Sequence, residues 1–146
     1  MNAIDKILFT GKTHTTVNPP PSAADHGSVN LELTAVDGQA LAFTDVAPHP
    51  TAEQLFAGAW SACYITAVGL VAAQKRVSLP ADLSVDIEVV LGQSGAAWQL
   101  AARFDVRMPG VAQDVAEKIA HAAHQICPYS KAVHGNIDVA VNVTTS

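Results

Sequence analysis

Cys63 and Cys127 are the only two cysteines in this chain, and each stands in a context suited to thiol chemistry. Cys63 closes the run Glu53-Gln54-Leu55-Phe56-Ala57-Gly58-Ala59-Trp60-Ser61-Ala62-Cys63, inside a long apolar stretch expected to be helical. Cys127 opens Cys127-Pro128-Tyr129-Ser130, where proline forces a helix to end. A thiolate is a nucleophile toward peroxides and disulfides, and a second thiol can intercept the oxidised sulfur before it is lost. If folding brings the two together, one thiol can attack and the other can resolve, which makes thiol-based redox catalysis the leading expectation. The plainer reading of Cys63 is a small residue packed in a core, where free cysteine is common.

The N-terminus lacks a basic start followed by an apolar run and a cleavage site, so the expected location is cytoplasmic. In a reducing compartment a cysteine pair serves transient rather than permanent bonding. A second chemistry is open to His121, His124 and Cys127, which zinc accepts as ligands. Their spacing of three and three spreads them around a regular helix, which works against convergence on one ion.

Composition removes other classes. The net charge is −5 with no cluster of Lys and Arg, so the electrostatic footprint of a nucleic-acid binder is missing. Charged residues make up 14% of the chain, against roughly 25% in typical soluble domains. Part of so apolar a surface is expected to be hidden in an oligomer. Leu55 to Ala73 runs 19 residues without a charge, long enough to cross a membrane. Its many alanines and glycines, its charged flanks and the surrounding strands favour instead a buried central helix of a single domain over residues 1–146, with no membrane partner.

The elements that must position the cysteines follow from periodicity. Ile4 to Thr16 reads as a first strand, stopped by Asn18-Pro19-Pro20-Pro21-Ser22. Ser28 to Thr34 and Ala40 to Thr44 alternate on either side of Asp37-Gly38, a hairpin signal. After Pro48-His49-Pro50, Thr51 is placed to cap a helix from about Ala52 to Lys75. Within it Phe56, Ala59, Cys63, Ala67 and Leu70 share a face, so Cys63 is expected to point with the apolar stripe. Leu83 to Leu91 and Trp98 to Met108 form a second hairpin across Gly92-Gln93-Ser94-Gly95. Val111 to Ile126 reads as an amphipathic helix ended at Pro128, and Ile137 to Val143 as a last strand after a short turn. Strands in runs separated by helices predict an α+β fold with antiparallel pairing.

The two cysteine segments, with Gly135-Asn136-Ile137-Asp138-Val139 following the second, resemble the paired motifs of the OsmC/Ohr family, most closely its organic hydroperoxide resistance branch. Element order, length and motif separation agree over essentially the whole chain. The resemblance implies antiparallel sheets packed on a long central helix in an intertwined homodimer. It implies a thiol peroxidase without metal or flavin, in which Cys63 attacks an alkyl or lipid hydroperoxide and becomes a sulfenic acid. Cys127 then condenses with it to a disulfide, and a dithiol of the lipoyl type resets the pair. It also implies a role for Glu53, whose family counterpart pairs with an arginine that activates the thiol. Here the chain departs from the pattern: its arginines are Arg76, Arg103 and Arg107, and Thr16 to Ser22 stands where the family's Gly-Gly-Arg stretch belongs. The residue after the second motif that is usually arginine is His134. Lys12, His14 and His134 are the candidate substitutes. Phe56, Trp60 and Tyr64 are candidates for an apolar wall that favours organic peroxides, or else ordinary packing. A family member that binds apolar ligands without catalysis is the alternative.

Overall fold

The computed structural model describes residues 4–17, 29–34, 40–45 and 51–146. The elements run β1 (Lys6–Val17), β2 (Val29–Thr34), β3 (Ala40–Asp45), α1 (Ala52–Gln74), β4 (Ser84–Ser94), β5 (Ala97–Arg107), α2 (Gln113–Ile126), α3 (Pro128–Val133) and β6 (Asp138–Thr144). The α+β class expected from the sequence is the one observed. The proline connector at 18–22, the Asp37-Gly38 turn and the 48–50 segment lie outside the described residues.

All six strands form one sheet in the order β2-β3-β1-β4-β5-β6. Four pairings are antiparallel, as expected, and β6 departs from that pattern by lying parallel to β5, with Phe104 opposite Val141. The cause is the connection: α2 and α3 carry the chain from one end of the sheet back to the other, and a crossover of that kind delivers a parallel strand. The second hairpin also turns later than expected. Both strands continue through Gly92 to the pair Ser94–Ala97, leaving a two-residue loop with Gly95 at φ 58. Glycine at the first of two loop positions is what a type II′ hairpin turn demands.

α1 begins on a capping box. Thr51 Oγ1 accepts the Gln54 backbone N–H at 3.2 Å, and Gln54 Oε1 accepts the Thr51 N–H at 2.7 Å. Its first turn lies against β1 at Gly11, where a Cβ would come within 2.6 Å of the Gln54 backbone nitrogen. Only glycine permits that approach. Behind this contact the core closes around Trp60, Tyr64 and Val68 of α1, Val85, Ile87 and Val89 of β4, Phe104 of β5, and Ile119 of α2, all 0–1% exposed. Tyr64 Oη donates to the Ala120 carbonyl of α2 at 2.8 Å, so its polar end is satisfied inside the core.

The expected stripe on α1 is only in part the buried face: Ala67 is buried and Cys63 half-buried, but its other members face outward. Phe56 and Leu70 are 37% and 56% exposed, and Ala59 is exposed, while Ala57, Trp60, Tyr64, Val68 and Val71 turn inward. A helix apolar on every side carries no pattern to say which arc meets the sheet. α1 is long and apolar enough to cross a membrane, and its packing against the sheet and α2 is that of a core helix.

Candidate functional site

Cys63 lies midway along α1, on the border between its buried and exposed arcs, and is half-buried. Cys127 is the joint between α2 and α3, closing one helix and opening the other at φ −59 and ψ 121. Pro128 ends α2 as expected, yet it also starts α3, because proline fits the first turn of a helix, where its missing N–H costs nothing. This bend sets the Cys127 thiol against α1. The sulfurs lie 3.0 Å apart, with the Cys127 S–H donating to Cys63, and both cysteines are free. Residues 64 positions apart in sequence thus become a contacting thiol pair.

The two thiols are not equivalent. Cys127 is 0% exposed, whereas Cys63 keeps an open side. Burial nevertheless pushes the Cys63 thiol up to about 11, from an ordinary value of 9.0. The backbone N–H of Tyr129, in the first turn of α3, bonds to Cys63 and pulls the other way. Among the described residues no lysine, arginine or histidine contributes to holding that sulfur as an anion.

Trp60 sits one turn before Cys63 and Ser130 one turn after Cys127, and these two also meet: Trp60 Nε1–H donates to Ser130 Oγ at 2.9 Å in the interior. The Trp60 ring packs edge-on against Phe56 at 5.6 Å and Phe104 at 4.8 Å, and Tyr64 edge-on against Phe104 at 4.8 Å. Trp60 and Tyr64 are therefore core residues rather than a substrate wall. Phe56, two turns before Cys63 on the same face, remains partly open. Ile126 and Tyr129, beside Cys127, are 39% and 50% exposed. Sequence reasoning did not single out the Trp60–Ser130 bond or the Tyr129 N–H. The available signal was the proline one residue after Cys127, which marks a new helix start as well as an old helix end.

Glu53 is not brought to the thiols. It lies in the first turn of α1 against Gly11, ten residues from Cys63, about 15 Å of helical rise away. The arginines are elsewhere as well: Arg103 pairs with Asp105 at 3.0 Å, Arg107 with Asp82 at 3.5 Å, and Arg76 follows the end of α1. Of the candidate substitutes, His14 donates from Nδ1 to Asp86 across β1 and β4, which raises its pKa. His134 caps the end of α3 in the open. No three His, Cys, Asp or Glu side chains among the described residues converge as metal ligands, and His124 instead packs edge-on against Phe104 at 5.6 Å. A cleft of about 970 Å³, bordered by His124, Lys131, His134, Ile137 and Val139, includes neither cysteine in its lining. Cys63 adjoins the exposed apolar arc of α1 formed by Phe56, Ala59 and Leu70.

The arrangement is a dithiol with one accessible and one sheltered sulfur, able to cycle between two thiols and one disulfide. A family profile described as OsmC-like protein matches residues 44–142. An organic hydroperoxide resistance protein of Xanthomonas axonopodis pv. citri is 38% identical over 91 residues, 62% of this chain and 64% of that protein. The aligned part thus spans a little under two thirds of that relative's length. Among solved structures, an organic hydroperoxide resistance protein from Legionella pneumophila superposes with a TM-score of 0.62 at 27% identity, covering 84% of this chain and 99% of that one. OhrB of Bacillus subtilis superposes with a TM-score of 0.62 at 25% identity, covering 84% of this chain and 100% of its own.

Proposed function

The chain belongs to the OsmC-like family, and on that footing we propose that it is a cysteine-based peroxidase that reduces organic hydroperoxides, alkyl or lipid, at Cys63. The observation that carries this reading is the thiol pair itself: two free sulfurs at 3.0 Å, one reachable and one buried. The relatives' names support the substrate class, because the matched proteins are named for organic hydroperoxide resistance.

In this reading the Cys63 thiolate attacks the terminal oxygen of the hydroperoxide. The O–O bond breaks, the alcohol leaves with the thiol proton, and Cys63 carries a sulfenic acid. Cys127 then attacks the Cys63 sulfur. The S–S bond forms, the S–O bond breaks and water departs, so the sulfur is spared further oxidation. A small dithiol, of the lipoyl type in this reading, restores both thiols by exchange in a reducing, cytoplasmic setting. The sulfurs carry both electrons, so the cycle calls for no metal or other cofactor. Phe56, Ile126 and Tyr129 offer the exposed apolar surface beside the thiols that an alkyl chain would cover. A second copy of the chain, seated on the exposed arc of α1, completes the pocket. Glu53 enters as a positioning residue, acting across that pairing or through a cation, because its own helix holds it away from Cys63.

A second reading, an apolar-ligand binder without catalysis, is favoured by one observation: a thiol held up near 11 with no cation beside it among the described residues. Stopped-flow mixing with an alkyl hydroperoxide separates the two. The peroxidase consumes peroxide in the wild type, loses that activity in Cys63→Ser, and in Cys127→Ser undergoes one oxidation event followed by inactivation. Unchanged thiol content in the wild type at excess peroxide would overturn the peroxidase and support the binder. Undiminished steady-state turnover in Cys127→Ser would remove the resolving role.

A further inference from the structure

The contact between α1 and the α2–α3 bend is double. Cys63 meets Cys127, and one turn away on each side Trp60 meets Ser130. The second contact is the more deeply buried, with Trp60 1% and Ser130 3% exposed. The indole is fixed by edge contacts to Phe56 and Phe104, so its N–H has one direction in which to point. In that direction stands the Ser130 hydroxyl, and a buried indole N–H left without an acceptor is costly. α3 has only six residues and begins with a proline. A helix that short does not hold its shape unaided. The Trp60–Ser130 bond ties its middle to the rigid α1, with Tyr129 between the two contacts presenting its backbone N–H to Cys63.

We propose that Trp60 and Ser130 are positioning residues for disulfide closure: their hydrogen bond holds the α3 turn so that the Cys127 sulfur faces Cys63 throughout the cycle. This rests on the reading of the two cysteines as a redox pair. From 3.0 Å the sulfurs must close to about 2.05 Å to bond. With α3 latched, closure is a small local movement. Without the latch, α3 must first find its place. The latch therefore serves the second step, attack of Cys127 on an oxidised Cys63, and leaves the first step, attack by Cys63, nearly untouched.

An aromatic disulfide that releases a coloured thiolate tests this without any peroxide. Cys63 attacks the reagent, forms a mixed disulfide and releases one thiolate. Cys127 then attacks the Cys63 sulfur of that mixed disulfide, forms the internal disulfide and releases a second thiolate, so the two steps appear as two phases of absorbance. Ser130→Ala and Trp60→Phe are each expected to slow the second phase about tenfold or more and to leave the first within about twofold. The double variant should be no slower than the worse single one, because the two changes remove the same bond. Trp60→Phe keeps an aromatic ring between Phe56 and Phe104 and decides the matter if Ser130→Ala does not fold. A second phase unchanged in a folded variant, or equal slowing of both phases, overturns the proposal. Failure of the wild type to react with hydroperoxide would defeat the peroxidase reading while leaving this test intact.

Discussion

At the scale of single residues, the division of labour proposed for the two thiols rests on their burial. Cys127 is sealed in the core and Cys63 keeps an open side, which supports the proposed assignment of attack to Cys63. The sequence made the pair visible through its contexts, but it could not show which sulfur is sheltered. That depends on the bend at Pro128, where a chain reversal that looks like a turn is a second helix. The cost of Cys63's position is a proton held tightly. Burial raises the thiol to about 11, and reactivity resides in the thiolate, so below that value the reactive fraction grows as protons are removed. Replacing Cys127 removes its own contribution to that rise but leaves burial, the largest cause, so the alkylation rate of Cys63 in Cys127→Ser should still climb with pH over the neutral to mildly alkaline range, without a plateau below pH 8. Stopped-flow alkylation across that range measures it. A plateau near neutrality would mean that a cation, such as one from a second copy of the chain, holds the sulfur as thiolate.

At the scale of elements, α1 ends on hydrogen bonds that call for a glycine the chain does not have. The Val77 N–H reaches the Ala72 carbonyl at 2.9 Å and the Arg76 N–H reaches Ala73 at 3.1 Å, the paired bonds of a Schellman ending. Arg76 holds the left-handed position at φ 55, and it is the only non-glycine residue with positive φ among those described. A side chain there costs about 1 kcal/mol, so Arg76→Gly should raise stability by about that amount. Urea unfolding at one fixed protein concentration, with an unchanged slope, would show it as a higher midpoint. The same helix explains what the sequence left illegible. Strands with one wet face alternate, and Ser84 to Val89 showed that alternation plainly. Alternation says nothing of strand direction, so the parallel seat of β6 was not readable. α1 alternates in nothing, being apolar on all sides, and its true inner arc through Trp60, Tyr64 and Val68 emerged only against the sheet. Its start was readable because Thr51 and Gln54 form a local capping pattern that needs no tertiary contact.

At the scale of the whole molecule, that outer arc is the unfinished part. Leu55, Phe56, Ala59 and Leu70 lie exposed along one side of a helix that carries no charge from Leu55 to Ala73. Such a surface is unfavourable in water, at roughly 25 cal/mol for each Å² left uncovered. Cys63 adjoins the same arc, so whatever covers the helix also walls the reactive sulfur. A second copy of the chain satisfies both needs, and the low share of charged residues is consistent with a face hidden between copies. In the proposed assembly α1 meets its counterpart along this stripe, and a charge placed there would be buried without a partner. Leu70→Glu is therefore expected to convert a dimer to a monomer, read by sedimentation equilibrium, while the fold inside each chain persists because Leu70 is already outside its core. Leu70 lies two turns from Cys63, about 10 Å along the helix, so it does not touch the sulfur. If the second copy supplies the missing wall, the monomeric variant should also lose hydroperoxide turnover while Cys63 becomes more open to small alkylating agents. A wild-type chain that sediments as a monomer would instead leave the thiol pair working on an open face.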